Sequence, residues 1–286
     1  MIKLNNEVIK INRFPDGTLL LNPDIRMNLM NDGPAIITWH YENNEEMITL
    51  MFLTRHLQNN CISDIRLVMP YIPNARQDRV KSILDVFTLK YFAEFINNLH
   101  FTTVTVLDPH SSVSEALFNN IIIETPKKYI RNAVAIIEGA KIAANDNSSL
   151  IAFYPDEGAM KRYSGLIPMP YAFGIKKRDW ETGKILGLDA AGSTELIKNN
   201  DVIIIDDICS RGGTFYHSAK KLKELGAKNI YLYITHCEPT IFEGEIFTSG
   251  LIDKVFTTNS ILRTTSTDNG RMVVTNKLEV FEYEKD

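Results

Sequence analysis

The sequence predicts an α/β protein of two domains, each a mostly parallel sheet flanked by helices, and three observations predict it. Apolar, β-branched runs alternate with segments of helical periodicity, the pattern of repeated βαβ units. The alternation runs through three strands and then restarts beyond Pro126, so the domains are placed at 1–125 and 126–286. Finally, 286 residues at 44% hydrophobic content suit two ordinary domains with substantial cores.

Ala35 to His40 reads as a strand and Glu45 to Leu57 as an amphipathic helix. Asp64 to Tyr71 is a second strand, Leu84 to Leu99 a second helix, and Thr103 to Leu107 a third strand. The second series opens with a helix over Ile130 to Ala144, followed by the polar stretch Asn145 to Ser149. Strands follow at Leu150 to Tyr154 and Tyr171 to Ile175, and a short helix at Thr194 to Lys198. Strand Asp201 to Ile205, helix Thr214 to Leu225 and strand Ile230 to Thr235 complete the βα pattern. The ending, Leu278 to Tyr283, reads as one more strand. Parallel neighbours joined this way require right-handed crossovers.

The formal net charge of −4 argues against nucleic acid as the main partner. The three cysteines, Cys61, Cys209 and Cys237, form neither a disulfide framework nor a metal knuckle and fit a reducing compartment. Met1 to Lys10 alternates polar and apolar residues without the apolar core of a signal peptide, and no stretch nears the ~20 apolar residues of a membrane span. A soluble cytoplasmic protein with no membrane partner is expected.

The richest segment is Val202-Ile203-Ile204-Ile205-Asp206-Asp207-Ile208-Cys209-Ser210-Arg211-Gly212-Gly213-Thr214. A buried strand delivers two acids to its carboxyl end, where open α/β sheets bind ligands. The glycine turn then opens a helix, whose first amides and dipole favour an anion. Carboxylates for ribose hydroxyls or Mg²⁺, beside amides for a phosphate, suit a sugar phosphate.

Four further clusters follow predicted strands or punctuate the chain. In Tyr71-Ile72-Pro73-Asn74-Ala75-Arg76-Gln77-Asp78-Arg79, two arginines offer forked donors to phosphate oxygens, and Gln77 reads a base edge or holds the loop. Taken alone, the segment reads equally well as a salt-bridged surface loop. Asp108-Pro109-His110 places a carboxylate and an imidazole within reach of a metal–nucleotide, although a histidine at a strand end is usually structural. Pro155-Asp156-Glu157-Gly158-Ala159 precedes a helix whose Glu157, Lys161 and Arg162 read as a solvated face. Lys176-Lys177-Arg178 sets three cations together, which costs self-repulsion unless anions or solvent offset it.

These clusters together resemble the ribose-phosphate pyrophosphokinase family, whose domains are phosphoribosyltransferase-like and Rossmann-like. Residues 202–214 resemble its phosphoribosyl pyrophosphate motif, 71–79 its ATP loop, Asp108-x-His110 its Asp-Leu-His, and Pro155-Asp156 its Pro-Asp-x-Gly-Gly, with Ala159 at the second glycine. Phe14-Pro15-Asp16-Gly17-Thr18 is similar to the family's Phe-x-Asp-Gly-Glu, with Thr18 in place of the glutamate.

The resemblance implies transfer of the β,γ-diphosphate of ATP to the C1 hydroxyl of ribose 5-phosphate, giving phosphoribosyl pyrophosphate and AMP with Mg²⁺ as cofactor. It implies that Arg76, Gln77, Arg79 and His110 bind ATP, with Phe14 and Asp16 lent by a neighbouring subunit of a dimer or hexamer. It places His110 and Asp156 at metal, and Asp206 and Asp207 on ribose hydroxyls. Ser210, Arg211, Gly212, Gly213 and Thr214 would then hold the 5-phosphate. Lys176 and Arg178 would stabilise the transferred diphosphate at the start of a mobile loop.

Ser210-Arg211 departs from the family's usual acid and small hydroxyl residue. Either Arg211 points outward or pairs with an acid such as Glu224, or it serves an acceptor with a larger 5-substituent. ADP-ribose is such an acceptor, and its product would feed NAD assembly. A phosphoribosyltransferase or a non-catalytic synthetase partner are the more distant alternatives.

Overall fold

The computed structural model describes residues 1–26, 33–178, 185–262 and 277–283, with backbone alone at 176–178 and 185–188. The chain divides into two compact units, Met1–Thr125 and Pro126–Asp286.

In the first unit the strands are β1 (Ile2–Leu4), β2 (Glu7–Val8), β3 (Ile11–Arg13), β4 (Leu19–Leu21), β5 (Ala35–Trp39), β6 (Ile65–Val68), β7 (Thr103–Leu107) and β8 (Ile121–Glu124). Six form a sheet ordered β2-β1-β5-β6-β7-β8, parallel from β5 to β8, while β3 and β4 form a separate hairpin. The main helices are α1 (Glu46–Asn59) and α2 (Thr88–Asn97), with a short α3 (Val113–Leu117) after β7. Leu50, Leu53 and Leu57 repeat at helical spacing and meet Ile37, Leu67, Phe92 and Val106 in one core.

The second unit holds β9 (Leu150–Tyr154), β10 (Tyr171–Arg178), β11 (Ile185–Gly192), β12 (Asp201–Cys209), β13 (Ile230–Cys237), β14 (Lys254–Thr258) and β15 (Leu278–Phe281). Their order is β11-β10-β9-β12-β13-β14-β15, and only the β10–β11 pair is antiparallel. The helices are α4 (Lys127–Ala143), α5 (Glu157–Tyr163) and α6 (Gly213–Glu224). Central β12 is flanked by β9 and β13, and its Val202 to Ile205 are fully buried. A strand covered on both faces needs such a continuous apolar run.

Several boundaries differ from the expectation. Strand β6 stops at Val68, two residues before Pro70, which has no N–H for a ladder. The second helix starts at Thr88 because Asp85 turns the chain before it, accepting the Lys81 and Ser82 amides at 2.8 Å each. Thr194–Leu196 is a single 3₁₀ turn, not an α-helix. Strand β12 continues through Asp206 and Asp207 to Cys209, because β13 pairs with it up to the Cys209–Cys237 register. Lys176 to Arg178 lie inside β10 instead of following it, since β11 supplies antiparallel partners out to Ile185.

Candidate active site

In the second unit β12 carries its acids to the carboxyl end of the sheet. Asp206 and Asp207 are adjacent, and their side chains are 17% and 4% exposed. Burial first, and then the neighbouring Asp207 charge, push the Asp206 carboxyl well above the ordinary carboxylate range. Arg162, in the last turn of α5, opposes that shift: its Nη2 lies 2.9 Å from Asp207 Oδ1 and 3.6 Å from Asp206 Oδ1. Arg162 therefore does not belong to a solvated face, as the sequence led us to expect. Lys161 and Glu157 do, forming an exposed ion pair at 2.8 Å.

Asp156 lies at the N-cap of α5 in an extended conformation, with its Oδ1 accepting the Ala159 amide at 3.0 Å. This is the N-cap bond that acids favour. Ala159 occupies the second-glycine position fully buried, without displacing the cap.

The turn after β12 is shaped by one glycine. Gly212 precedes α6 with φ +80°, in the left-handed region, and a Cβ there would meet Ile246 Cγ1 at 2.4 Å. The amides of Arg211, Gly212, Gly213 and Thr214 donate to no backbone carbonyl among the described residues. They form the open donor set that an anion would fill.

A segment unassigned from sequence braces this turn. Ser210 Oγ donates to Glu238 Oε2 at 2.7 Å and contacts Thr240 Oγ1 at 3.2 Å. Gly244 packs so closely that a Cβ would sit 1.9 Å from the Arg211 carbonyl oxygen. Arg211 itself pairs with Glu243 at 3.1 Å, not with Glu224, and its side chain is 72% exposed. Glu238 stands just beyond the end of β13, so the strand-end rule that marked Asp206 would also have found it.

In the first unit the loop 71–79 and the segment 108–112 come together through Asp78. Burial opposes ionisation of Asp78, but the Arg79 hydrogen bond and the Arg79 and His110 charges hold its carboxyl below the usual range. Arg79 Nε donates to Asp78 Oδ1 at 2.8 Å while its side chain stays 64% exposed. Gln77 accepts from the Thr88 hydroxyl at 2.7 Å, which ties the loop to α2. Arg76 is exposed. The loop thus combines a salt bridge with exposed cations.

Phe14 to Thr18 form the tip of the β3–β4 hairpin, turned by Gly17 at φ +85°. Asp16 accepts from the Thr18 hydroxyl at 2.7 Å and the Thr18 amide at 3.0 Å, and these bonds lower its carboxyl pKa. Thr18 therefore ties down the acid where the resembling motif carries a glutamate. The Phe14 residue is 49% exposed. The side chains of Lys176 and Arg178, and residues 179–184, lie outside the described residues.

No helix among the described residues is long and apolar enough to cross a membrane. Residues 1–99 match the family model of the N-terminal domain of ribose phosphate pyrophosphokinase. The chain is 26% identical over 262 residues to the ribose-phosphate pyrophosphokinase of Thermococcus kodakarensis, covering 88% of this chain and 85% of that protein. It is 28% identical over 262 residues to that of Bradyrhizobium diazoefficiens, covering 89% and 78%. The fold matches the crystal structure of phosphoribosylpyrophosphate synthetase from Mycobacterium smegmatis with a TM-score of 0.75 at 18% identity, covering 96% of this chain and 86% of that one. Beside the acid pair, the glycine turn and the clustered loop of the first unit, these matches make the chain similar to ribose-phosphate pyrophosphokinases over most of its length.

Proposed function

We propose that the protein transfers the β,γ-diphosphate of ATP to the C1 hydroxyl of ribose 5-phosphate, giving phosphoribosyl pyrophosphate and AMP. One observation carries this reading: the Asp206–Asp207 pair runs directly into a glycine-shaped turn with open amides at the start of α6. The carboxylates accept hydrogen bonds from ribose hydroxyls, and the amides of residues 211–214 hold the 5-phosphate. The C1 hydroxyl oxygen attacks the β-phosphorus and releases its proton to solvent, the bond to the α-phosphate oxygen breaks, and AMP leaves with that electron pair. Positioning and charge stabilisation carry such a reaction.

Arg76, Gln77, Arg79 and His110 take the ATP side, and Lys176 and Arg178 neutralise the diphosphate in transit. Phe14 and Asp16 contact the adenine from a neighbouring subunit of a dimer or hexamer, a role that the exposed hairpin tip supports. The described residues hold no group of three or more His, Cys, Asp or Glu donors suited to a metal. Mg²⁺ fits so sparse a set, because it takes one or two carboxylates and completes its shell with phosphate oxygens and water. Asp156 would hold it, and the resemblance gives His110 a metal role as well. When bound, it neutralises the triphosphate and fixes its geometry.

A second acceptor is the alternative reading. Arg211 is an exposed forked cation beside the glycine turn, paired with Glu243 at 3.1 Å, where the resembling motif carries a small residue. ADP-ribose would present a diphosphate to it, and the product would be an ADP-ribose pyrophosphate. Acceptor competition in wild type and Arg211→Thr tests this. If the substitution leaves the preference between ribose 5-phosphate and ADP-ribose unchanged, Arg211 does not select the acceptor.

A further inference from the structure

We infer that Arg162 is a positioning residue: it holds the Asp206 and Asp207 carboxylates in place for the acceptor's ribose hydroxyls and supplies their counter-charge. The inference rests on the acceptor reading of that pair and goes beyond it. Two adjacent, largely buried carboxylates repel one another, and their site must contain a cation or lose a charge. Arg162 contacts both acids, at 2.9 and 3.6 Å, from a different secondary-structure element.

Its placement is fixed from behind. The guanidinium carbon lies 4.9 Å from the centre of the Tyr163 ring, a cation–π contact. Tyr163 is 1% exposed and stacks on Tyr154, the last residue of β9, with ring centres 6.5 Å apart. The side chain of Arg162 itself is 27% exposed. Both contacts come from one nitrogen, Nη2, which bonds Asp207 and stands as a close counter-charge to Asp206. The site therefore carries its own cation next to the acids.

The test is steady-state kinetics of Arg162→Gln and Arg162→Lys with ATP and ribose 5-phosphate, or ADP-ribose if that is the acceptor turned over. Arg162→Gln is expected to raise the acceptor KM roughly 10- to 100-fold, the equivalent of one charge-assisted hydrogen bond. The ATP KM should stay within about 2-fold of wild type, and Arg162→Lys should recover all but a few-fold of the loss. A merely structural arginine would instead lower kcat through the folded fraction and leave both KM values alone, and that outcome overturns the inference. Should Arg162→Gln not fold, Arg162→Met decides: wild-type KM for both substrates also overturns it. Asp206→Asn and Asp207→Asn separate the two levels. If they too leave the acceptor KM unchanged, the acceptor reading fails; if they raise it and Arg162→Gln does not, only the role of Arg162 fails.

Discussion

Substituting Gly212 by alanine perturbs the acceptor turn in two separable ways. The first is conformational: φ is +80°, and an L-residue in the left-handed region costs about 1–2 kcal/mol. The second is steric, since the new Cβ would lie 2.4 Å from Cγ1 and 2.8 Å from Cδ1 of Ile246. Ile246 is 1% exposed, so overpacking against its side chain adds about 1–3 kcal/mol. The sum is about 2–5 kcal/mol, to be read from denaturant midpoints at unchanged m-value. Ile246→Ala removes the overlapping atoms, so in that background Gly212→Ala should cost only the conformational part, about 1–2 kcal/mol. Gly213→Ala is the internal control: its Cβ meets nothing within 4 Å, and an alanine in the helix stabilises by about 0.5–1 kcal/mol. Equal costs for Gly212→Ala with and without Ile246 would refute the steric half. A cost no greater than that of Gly213→Ala would refute both halves.

Other outcomes follow from the same geometry. Gly244→Ala should destabilise by about 1–3 kcal/mol and raise the acceptor KM, because its Cβ would meet the Arg211 carbonyl oxygen at 1.9 Å and backbone cannot swing away as a side chain can; thermal melts and acceptor titration check both. Asp206 binds its proton more tightly in the native protein than in the unfolded chain, so it lowers stability as pH rises from the ordinary carboxylate value through its raised one. Over the same window acceptor binding should strengthen as Asp206 ionises, and Asp207→Asn should move that transition to lower pH, measured by calorimetric titration across pH. Asp146 is held down to about 2 by Lys228, 2.6 Å away, and by the Ser148 amide. Its contribution to stability is complete above the ordinary carboxylate pKa and is lost as pH falls towards about 2. Lys228→Met should shift the Asp146 titration up, as a carboxyl-carbon NMR titration would report, and an unmoved titration would count against the pair.

The sheets were legible wherever burial dictates composition. Val202 to Ile205, Thr103 to Leu107 and Leu150 to Tyr154 are apolar because they are covered, and pattern alone located them. The N-terminal hairpin escaped because its strands are short, yet Asn5 and Asn6, at φ +47° and +71°, form the two-residue turn that favours asparagine. Strand β8 was missed although it is Ile121-Ile122-Ile123: it lies at a sheet edge, is exposed in its middle, and no polar alternation marks it. Among site residues, the acids and the glycine turn are local in sequence and could be read. Arg162 could not, because its partners lie more than forty positions away and only the packing of α5 beside β12 joins them. Glu243 in place of Glu224 as the partner of Arg211 has the same cause: the brace folds back over the turn from beyond β13.

The most direct test of the account is product analysis with purified protein, Mg²⁺, ATP labelled in its β-phosphate, and either ribose 5-phosphate or ADP-ribose, followed by mass spectrometry. The account predicts AMP in step with a product that has gained a labelled diphosphate at the C1 oxygen of the acceptor. ATP cleaved only to ADP, or AMP formed without label on either acceptor, would contradict it.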